Sequence, residues 1–449
     1  MQRMFGTDGV RGVANAELTA DLAFALGRAG ALVLTQELSH KPTLLVGRDT
    51  RISGTMLENA LCAGICSTGA SVISLGVIPT PAVAYLVRHY KADAGVMISA
   101  SHNPFEYNGI KFFNADGYKL SDAVEDKIEA MIRENNYPTL PTGEHVGRYS
   151  IKTDATEDYI DFVTSCIDCR LDGMRIAIDC ANGANSVAAP TALSQLGANV
   201  NALYNAPDGI NINAGCGSTH IDALGEYVKN NPGYDIGIAF DGDADRMLAV
   251  DETGSPLTGD EVMLIVGNHL KEQGLLTKDT ITATVMSNLG FFLAAEKLGI
   301  HAVQTAVGDR YVLEEMLKEG YALGGEESGH IIYLHKNTTG DGLLSALLLL
   351  SVMQHTKKKL SELRKIMTVL PQVLVNARVK NENKPLLSTD KTIKTAIAEV
   401  EAALSGQGRV LIRPSGTEPV VRVMLEGQNK AQLQADAQKL ADLIESLLG

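Results

Sequence analysis

Short apolar runs alternate with amphipathic segments through most of this chain. The first third predicts three strands separated by two helices, at residues 43–47, 55–67, 71–75, 81–90 and 94–98. Alternation of this kind is typical of βαβ units and of mostly parallel sheets. The polar, proline-containing stretch 135–149 that follows indicates a connector, and we expect a domain boundary near residue 150.

The same alternation returns twice before the pattern changes. A second unit predicts helices at 156–169 and 187–196 and strands at 175–179, 235–240 and 247–250. A third predicts strands at 280–286 and 301–306 and helices at 291–298 and 311–318. From about residue 370, a smaller α+β pattern follows, with strands at 372–379, 409–412 and 420–425 and helices at 392–404 and 431–448.

These patterns predict an α/β protein of three similar mixed-sheet α/β domains plus a C-terminal α+β domain. A chain of 449 residues is too long for one hydrophobic core, so several domains are expected. We place them at residues 1–150, 151–255, 256–367 and 368–449.

Composition and charge exclude several classes of protein. Apolar residues make up 45% of the chain, as in ordinary globular proteins. The 39 basic and 53 acidic side chains give a net charge of −14 with no basic run, which argues against nucleic acid or an anionic membrane as the main partner. The N-terminus lacks the apolar core of a signal peptide, and the longest apolar stretch, 343–353, is too short to cross a bilayer. We therefore expect a cytoplasmic protein.

Six cysteines in so long a chain do not indicate a disulfide framework. Cys166 and Cys169 form a C-x-x-C pair, but they fall at the end of the predicted helix 156–169, and no second pair has zinc spacing. We expect buried thiols.

Three aspartates, Asp241, Asp243 and Asp245, alternate with small residues between two predicted strands. On a tight loop their carboxylates can converge on one hard cation such as Mg²⁺. The alternatives are a solvated acidic turn and a calcium-binding EF-hand loop with Glu252 at its twelfth position. The second is disfavoured because Arg246 stands where an EF-hand has glycine, and because strands flank the loop.

Ser101 lies in the segment Ser-Ala-Ser-His-Asn-Pro at residues 99–104, directly after a predicted buried strand. Catalytic residues of open α/β sheets gather beyond the carboxyl ends of strands, and a serine hydroxyl can carry a phosphoryl group. Lys111 is close enough in sequence to stabilise charge there or to shuttle a proton. A lone loop serine is more often a cap or turn residue, so this motif alone is weak.

Two later segments carry recognition chemistry. Residues 324–330, Gly-Gly-Glu-Glu-Ser-Gly-His, suit binding of a sugar's vicinal hydroxyls, although a polar loop with turn glycines is the commoner explanation of such a segment. Residues 413–419, Arg-Pro-Ser-Gly-Thr-Glu-Pro, together with Arg422, supply the hydroxyls, guanidinium groups and backbone amides of a phosphate cradle.

With these four motifs in this order, one in each predicted domain, the chain resembles the α-D-phosphohexomutase superfamily over essentially its whole length. The segment Phe-Gly-Thr-Asp-Gly-Val-Arg-Gly at residues 5–12 matches the family as well. The resemblance implies four domains around a central cleft that excludes water. It also implies that Ser101 is the phosphorylated residue, and that its phosphate binds Mg²⁺ together with Asp241, Asp243 and Asp245.

The resemblance assigns roles to the remaining candidates. Arg11 would line the active site, and we count Lys111 and His102 with Ser101 as catalytic. Glu326 and Ser328 would hold the sugar hydroxyls, with His330 and Arg246 as further sugar-binding candidates. The phosphate that does not react would be bound by Arg413, Ser415, Gly416, Thr417 and Arg422.

The implied reaction interconverts glucosamine 6-phosphate and glucosamine 1-phosphate. Phosphorylated Ser101 would phosphorylate the sugar, the 1,6-bisphosphate would turn over in the cleft, and the opposite phosphate would return to Ser101. Glucosamine 1,6-bisphosphate would prime the enzyme, and the product would feed UDP-N-acetylglucosamine synthesis. The substrate is a small phosphosugar, and relatives often form homodimers.

Other functions stay open from the sequence. Ser99, Glu327 and the early position of residues 5–7 favour the amino-sugar branch, whereas mutases of mannose or glucose phosphates commonly have Thr and Met at the first two positions. A phosphomannomutase/phosphoglucomutase is therefore the alternative within the family. A non-catalytic sugar-phosphate-binding protein and a metal-dependent phosphatase are alternatives from other classes. The general base, the phosphorylation state of Ser101 and the degree of domain closure do not follow from the sequence.

Overall fold

A computed structural model describes residues 3–6, 8–404, 408–415 and 419–449. The chain divides into two compact units. The first comprises residues Met1–Met286 and Ile300–Ile366, and the second comprises Ser287–Gly299 and Met367–Gly449.

The first sheet of unit 1 has six strands in the order β1-β5-β4-β2-β3-β6. Strands β4, β2, β3 and β6 run parallel, while β5 is antiparallel to both β4 and β1. The elements are β1 (Val10–Val13), α1 (Ala20–Thr35), β2 (Thr43–Arg48), α2 (Gly54–Cys66), β3 (Ser71–Val77), α3 (Thr80–His89), β4 (Ala94–Ile98), β5 (Tyr107–Asn114), α4 (Asp122–Glu134) and β6 (Tyr149–Ile151). The predicted connector thus ends in an edge strand of this sheet.

The second sheet has five strands in the order β11-β10-β9-β7-β8. Strand β7 is parallel to β8 and β9, and β10 is antiparallel to β9 and β11. The elements are α5 (Ala155–Thr164), β7 (Arg175–Asp179), α6 (Asn185–Gln195), β8 (Asn199–Leu203), α7 (Ile221–Asn230), β9 (Ile236–Phe240), β10 (Met247–Asp251) and β11 (Pro256–Leu257). Helix α5 ends before the two C-x-x-C cysteines, which are partly exposed rather than buried.

The third sheet has the order β13-β12-β14-β15, with β12 parallel to β13 and β14, and β15 antiparallel to β14. Helix α9, which lies between β12 and β13 in the sequence, belongs to unit 2. The elements are α8 (Gly259–Glu272), β12 (Thr280–Thr284), α9 (Leu289–Lys297), β13 (His301–Thr305), α10 (Asp309–Glu319), β14 (Leu323–Gly325), β15 (Ile331–Tyr333), α11 (Gly342–Thr356) and α12 (Leu360–Leu363).

Unit 2 is built on a three-stranded antiparallel sheet, β16-β18-β17. Helix α9 belongs to it because Asn288 Nδ2 donates to Leu370 O at 3.0 Å and Leu289 N–H donates to the Glu426 carboxylate at 2.9 Å. The other elements are β16 (Gln372–Arg378), α13 (Lys391–Ala403), β17 (Arg409–Pro414), β18 (Val420–Glu426) and α14 (Lys430–Leu448). The predicted α+β pattern of the C-terminal region is present.

The central strands explain why unit 1 is layered. Every residue of β4 and of β9 is buried, as expected of strands covered by helices on both faces. The apolar run at 343–353 forms most of α11, and it is buried within the unit. Among the described residues, no helix is both long and apolar enough to span a membrane. The sheets and their helices confirm the predicted α/β class.

Candidate active site

Ser101 lies in the loop that follows β4, as the sequence predicts, and it is 2% exposed. Its φ of 51° places it in the left-handed region, which is strained for a residue with a side chain. The Ser99 hydroxyl accepts its N–H at 2.9 Å, and its own hydroxyl donates to Asp241 Oδ2 at 2.6 Å. The predicted nucleophile therefore contacts the predicted metal loop, although 140 residues separate them.

Two side chains hold this strained loop from the outside. Arg51 donates to Ser101 O at 2.9 Å and to Asn103 O at 2.8 Å, and it also contacts Pro104 O. Asn213 Nδ2 donates to the same two carbonyls of Ser101 and Asn103, at 2.9 and 3.1 Å. These bonds keep the loop in one conformation, which a residue in a costly φ region requires.

The three aspartates occupy the β9–β10 hairpin. One carboxylate oxygen from each lies within 4.8 Å of the others, and the three side chains are buried. Gly242 lets this hairpin approach the serine loop, because a Cβ there would lie 2.6 Å from Ser101 O. Asp241, Asp243 and Asp245 are thus brought together as predicted.

The three carboxylates are electrostatically unequal. Burial, together with Asp245 and Asp243, raises the pKa of Asp241 well above its usual range. Burial would also raise the pKa of Asp243, but Lys111 and a hydrogen bond from Thr80 hold it below that range. Three carboxylates in one buried hairpin repel one another unless a positive charge is present.

This donor set fits a magnesium ion. Oxygen Oδ1 of Asp243 and Oδ1 of Asp245 are buried and have no hydrogen-bond partner among the described residues. Buried polar atoms normally have partners, so these oxygens indicate a missing one. Hard carboxylate oxygens are the ligands that Mg²⁺ prefers. The chemistry of the site therefore agrees with the predicted cation.

Lys111 connects the hairpin to the N-terminal motif. Its side chain is 1% exposed, and its Nζ lies 2.8 Å from Asp243 Oδ2 and 2.8 Å from Asp8 Oδ2. Arg11 also contacts Asp8 and is partly exposed. Burial alone would raise the pKa of Asp8, but Lys111 and the other nearby cations hold it well below its usual range. Both predicted basic residues thus border the site.

His102 and Arg246 lie at the edges of the same site. The Nδ1 of His102 is 3.5 Å from Ser101 Oγ, and burial lowers the pKa of this imidazole, as does the Arg246 guanidinium. Arg246 Nε is 3.9 Å from Asp245 Oδ1. Burial would lower the pKa of Arg246, but Asp245 and other carboxylates, among them Glu326, raise it.

The predicted sugar loop joins β14 to β15 within unit 1. Glu326 is half-buried and its Oε1 accepts the Gly308 N–H at 3.0 Å, while Ser328 is exposed. His330 is buried, and its Nε2 lies 3.7 Å from Asp245 Oδ2. The loop is anchored to β10, because Met247 N–H donates to Gly329 O at 3.1 Å. Sugar-binding and metal-binding candidates therefore share one region.

The predicted phosphate loop lies in unit 2. Arg413 on β17 and Arg422 on β18 are cross-strand partners, and both are half-buried. Burial, and then the charge of Arg422, lowers the pKa of Arg413. Ser415 is buried, and its carbonyl accepts Lys384 Nζ at 2.5 Å. Two candidates, Gly416 and Thr417, lie outside the described residues.

Comparison with known proteins places the chain in a family. Four models described as phosphoglucomutase/phosphomannomutase match it: α/β/α domain I at residues 2–138, domain II at 157–254, domain III at 258–370 and the C-terminal domain at 374–443. The chain belongs to the phosphoglucomutase/phosphomannomutase family. The resemblance inferred from its four motifs is confirmed.

Individual relatives of this family are similar over the whole length. A phosphoglucosamine mutase from Ruminiclostridium cellulolyticum is 59% identical and one from Clostridium acetobutylicum is 60% identical, with at least 99% of each chain covered. Among solved structures, a family protein from Burkholderia thailandensis has a TM-score of 0.83 at 22% identity, covering 100% of this chain and 99% of its own. Aspergillus fumigatus N-acetylphosphoglucosamine mutase, in complex with GlcNAc-6P and magnesium, has a TM-score of 0.71 at 16% identity, covering 100% and 96%. These two structures show the same fold.

Several residues at this family site escaped the sequence analysis. Asp49 and Arg51 form a fully buried ion pair of 2.8 Å beneath the serine loop, directly after β2. Thr80 donates its hydroxyl to Asp243 Oδ2 at 2.7 Å. Lys119 and Asp309 lie beside Asp8. Their position in the sequence could have identified Asp49 and Arg51. They follow a parallel strand beside β4, where loops of open sheets converge.

Proposed function

We propose that this protein is a phosphoglucosamine mutase, which interconverts glucosamine 6-phosphate and glucosamine 1-phosphate through a phosphoserine at position 101. The observation that carries the proposal is the 2.6 Å hydrogen bond from Ser101 Oγ to Asp241 Oδ2, which joins a hydroxyl nucleophile to a buried carboxylate cluster. Full-length relatives named phosphoglucosamine mutase, at 59 and 60% identity, support the choice of sugar.

The reaction is a transfer of one phosphoryl group in each direction. The Oγ–P bond of phosphorylated Ser101 breaks as an O–P bond forms to a sugar hydroxyl, and the hydroxyl's proton passes to the Ser101 oxygen. The sugar O–P bond of the opposite phosphate in the bisphosphate then breaks as that phosphoryl group transfers to Ser101 Oγ. The serine's proton passes to the sugar oxygen, which releases the isomerised monophosphate. Because the phosphoryl group only moves between oxygens, no outside oxidant or reductant is needed.

The charges around Ser101 suit this transfer. Asp241, Asp243 and Asp245 would hold Mg²⁺ with the serine phosphate, and the bound ion would neutralise charge on the transferring group. Lys111 contributes a buried positive charge beside Asp243 and Asp8. His102 has a ring nitrogen 3.5 Å from Ser101 Oγ, where it can accept or return the sugar's proton.

The remaining candidates have recognition roles in this proposal. Glu326 and Ser328 bind the sugar hydroxyls, with His330 and Arg246 alongside, and Arg11 lines the site. Arg413, Ser415, Gly416, Thr417 and Arg422 bind the phosphate that is not reacting. Burial of Ser101, at 2% exposure, protects the phosphoserine from hydrolysis.

Several wider predictions belong to the same proposal. We expect a cytoplasmic protein without a nucleic-acid or membrane partner, primed by glucosamine 1,6-bisphosphate and able to form a homodimer. The division into domains at 1–150, 151–255, 256–367 and 368–449 also stays a prediction.

Replacement of the nucleophile tests the proposal. Ser101→Ala should reduce mutase turnover to the assay background, and incubation with glucosamine 1,6-bisphosphate should add one phosphoryl mass to the wild type but not to the variant. The control is Ser345→Ala, because Ser345 is a comparably buried serine whose hydroxyl donates to Asp341 O at 2.7 Å within α11. Wild-type turnover by Ser101→Ala with bisphosphate supplied would contradict the assignment.

Specificity constants separate the alternatives. A phosphoglucosamine mutase should prefer glucosamine 6-phosphate over the 6-phosphates of mannose and glucose. A higher specificity constant for either neutral sugar would favour the phosphomannomutase/phosphoglucomutase alternative. Steady release of inorganic phosphate would identify a phosphatase, and binding without turnover would identify a non-catalytic sugar-phosphate-binding protein.

A further inference from the structure

A row of alternating charges leads away from the metal-binding hairpin in unit 1. Lys111 Nζ is 2.8 Å from Asp243 Oδ2 and 2.8 Å from Asp8 Oδ2. Lys119 Nζ then lies 2.6 Å from Asp8 Oδ1 and 2.6 Å from Asp309 Oδ2. Each lysine thus bridges two carboxylates, and the row ends on the first residue of α10.

The far end of the row contacts the sugar loop. Asp309 Oδ2 is 3.6 Å from His330 Nε2, and His330 Nε2 is 3.7 Å from Asp245 Oδ2. One residue before Asp309, the Gly308 N–H donates to Glu326 Oε1 at 3.0 Å. From Asp309, His330 leads back to the metal-binding hairpin, and the neighbouring Gly308 N–H contacts the sugar-binding candidate Glu326.

Helix α10 packs on the third sheet through Val312 and Met316. On its other side a partly open cavity of about 190 Å³ separates it from the segment between β5 and α4, and the lining includes Leu120 of that segment and Leu313 of α10. Apolar contacts across this gap are therefore incomplete. The Lys119–Asp309 bridge joins the same segment to the start of α10.

The bridge is shielded enough from solvent to act as a geometric constraint. The side chains of Lys119 and Asp309 are 18% and 20% exposed, and that of Asp8 is 18% exposed. Removing one partner of such a pair leaves a poorly solvated charge, which is far more costly than breaking a surface bridge.

We propose that Lys119 and Asp309 are positioning residues of the phosphosugar site. They act through Asp8 on Lys111 and through Gly308 on Glu326, so that the sugar loop and the serine–metal site keep one spacing. The inference rests on the proposed mutase function, because it concerns how that function's site is held together. Neither residue needs to contact the substrate.

The chain contains a matched control for this proposal. Arg310 Nη1 bonds Asp122 Oδ1 and so also ties the start of α10 to the first sheet's side of the gap, at the start of α4. However, the side chains of Arg310 and Asp122 are 35% and 50% exposed, and among the described residues they bond each other, Glu314 and Arg3 rather than Asp8 or the sugar loop. If these bridges acted only by holding α10 against its neighbours, replacing Arg310 would reduce turnover as much as replacing Lys119.

Steady-state kinetics provide the first test. Lys119→Met and Asp309→Asn should each lower kcat about 10- to 100-fold, because small misplacements of reacting groups cost that much, while KM changes less. Lys119→Arg should recover most of the loss, and Lys119→Met combined with Asp309→Asn should lose no more than the worse single variant. Arg310→Gln should stay within about twofold of the wild type.

Amide hydrogen exchange provides a second readout that does not depend on turnover. Lys119→Met should speed exchange at residues 324–330, whereas Arg310→Gln should leave that loop unchanged. Unchanged exchange there in Lys119→Met, or an equal response to Arg310→Gln, would overturn the proposal. If the wild type has no mutase activity, the proposed function is refuted. The exchange result would still decide whether the bridge positions the sugar loop.

Discussion

The aspartate hairpin and the arginine pair of the C-terminal sheet are two places where like charges lie side by side. The chain brings the charges together differently in the two places. Asp241, Asp243 and Asp245 are neighbours in the sequence and are buried in one hairpin. Arg413 and Arg422 lie nine positions apart, remain half-buried, and face each other only because β17 and β18 pair in that register.

This difference agrees with the binding roles that we propose for the two regions. Like charges side by side are unfavourable in the free protein and become favourable when an ion of opposite charge arrives. The buried carboxylates suit a small cation from which water is excluded. The half-buried arginines suit a phosphate on a substrate that must enter and leave.

The largest effect is expected at the hairpin. Asp241→Asn should lower mutase turnover at least about a hundredfold, because it removes a proposed metal ligand and the acceptor of the Ser101 hydroxyl. Without metal the variant should be at least as stable as the wild type, since one repelling charge is gone. Turnover assays and urea unfolding in a chelator measure the two effects, with Asp222→Asn, at an exposed position of α7, as the control.

Asp179 tests how burial shifts the pKa of a carboxyl group that has no second carboxylate beside it in the described part of the chain. Asp179 accepts the N–H groups of Ala181 and Gly217, both at 2.8 Å, yet burial raises its pKa to about 6. The folded protein therefore binds this proton more tightly than the unfolded chain does. The free energy of unfolding of the protein should therefore fall as the pH rises from about 4 to about 6.

One variant isolates the contribution of Asp179 to this fall in the free energy of unfolding. Asp179→Asn should remove about 3 kcal/mol of the fall over this pH range, given about 1.4 kcal/mol for each pKa unit. Urea unfolding of both proteins across the range measures it. Parallel stability curves for the wild type and Asp179→Asn would show that this carboxyl does not titrate as described.

A smaller effect is expected at the arginine pair. Arg413→Gln should raise KM for the sugar phosphate about tenfold with kcat within about threefold, because a charge-assisted contact to phosphate is lost. In the absence of phosphate the variant should be slightly more stable, since like charges directly opposite on neighbouring strands are unfavourable. Arg378→Gln, on β16 of the same sheet, is the matched control and should change neither quantity. A tenfold fall in kcat at constant KM would contradict the recognition role.

The salt concentration should have the smallest effect. It should change KM and kcat differently, because the arginine pair and the hairpin differ in exposure. Raising the salt concentration from about 0.05 M to about 0.5 M should raise KM a few-fold, because half-exposed arginines are screened. At saturating substrate and magnesium, kcat should change less, since the hairpin is buried. A fall in kcat with constant KM would reverse this interpretation.

The local parts of the site could be predicted from the sequence. A triple-aspartate hairpin between two strands and a serine directly after a buried strand are both patterns of adjacent residues, and both are present. The end of the helix after residue 155 was predicted wrongly, because an amphipathic pattern does not mark where a helix stops. The grouping of α9 with unit 2 also had no local signal, since its contacts are with residues 370 and 426.

What the sequence determined by itself was the chemistry available: a hydroxyl, three carboxylates, a polar glycine-rich loop and a pair of arginines, each on an identifiable element. The tertiary structure alone decided which of them meet. Ser101 contacts Asp241 across 140 positions, and Lys119 contacts Asp309 across 190. Such partners leave no periodic trace along the chain, because hydrophobic patterning records which face of an element is buried and not which charged residue lies opposite it.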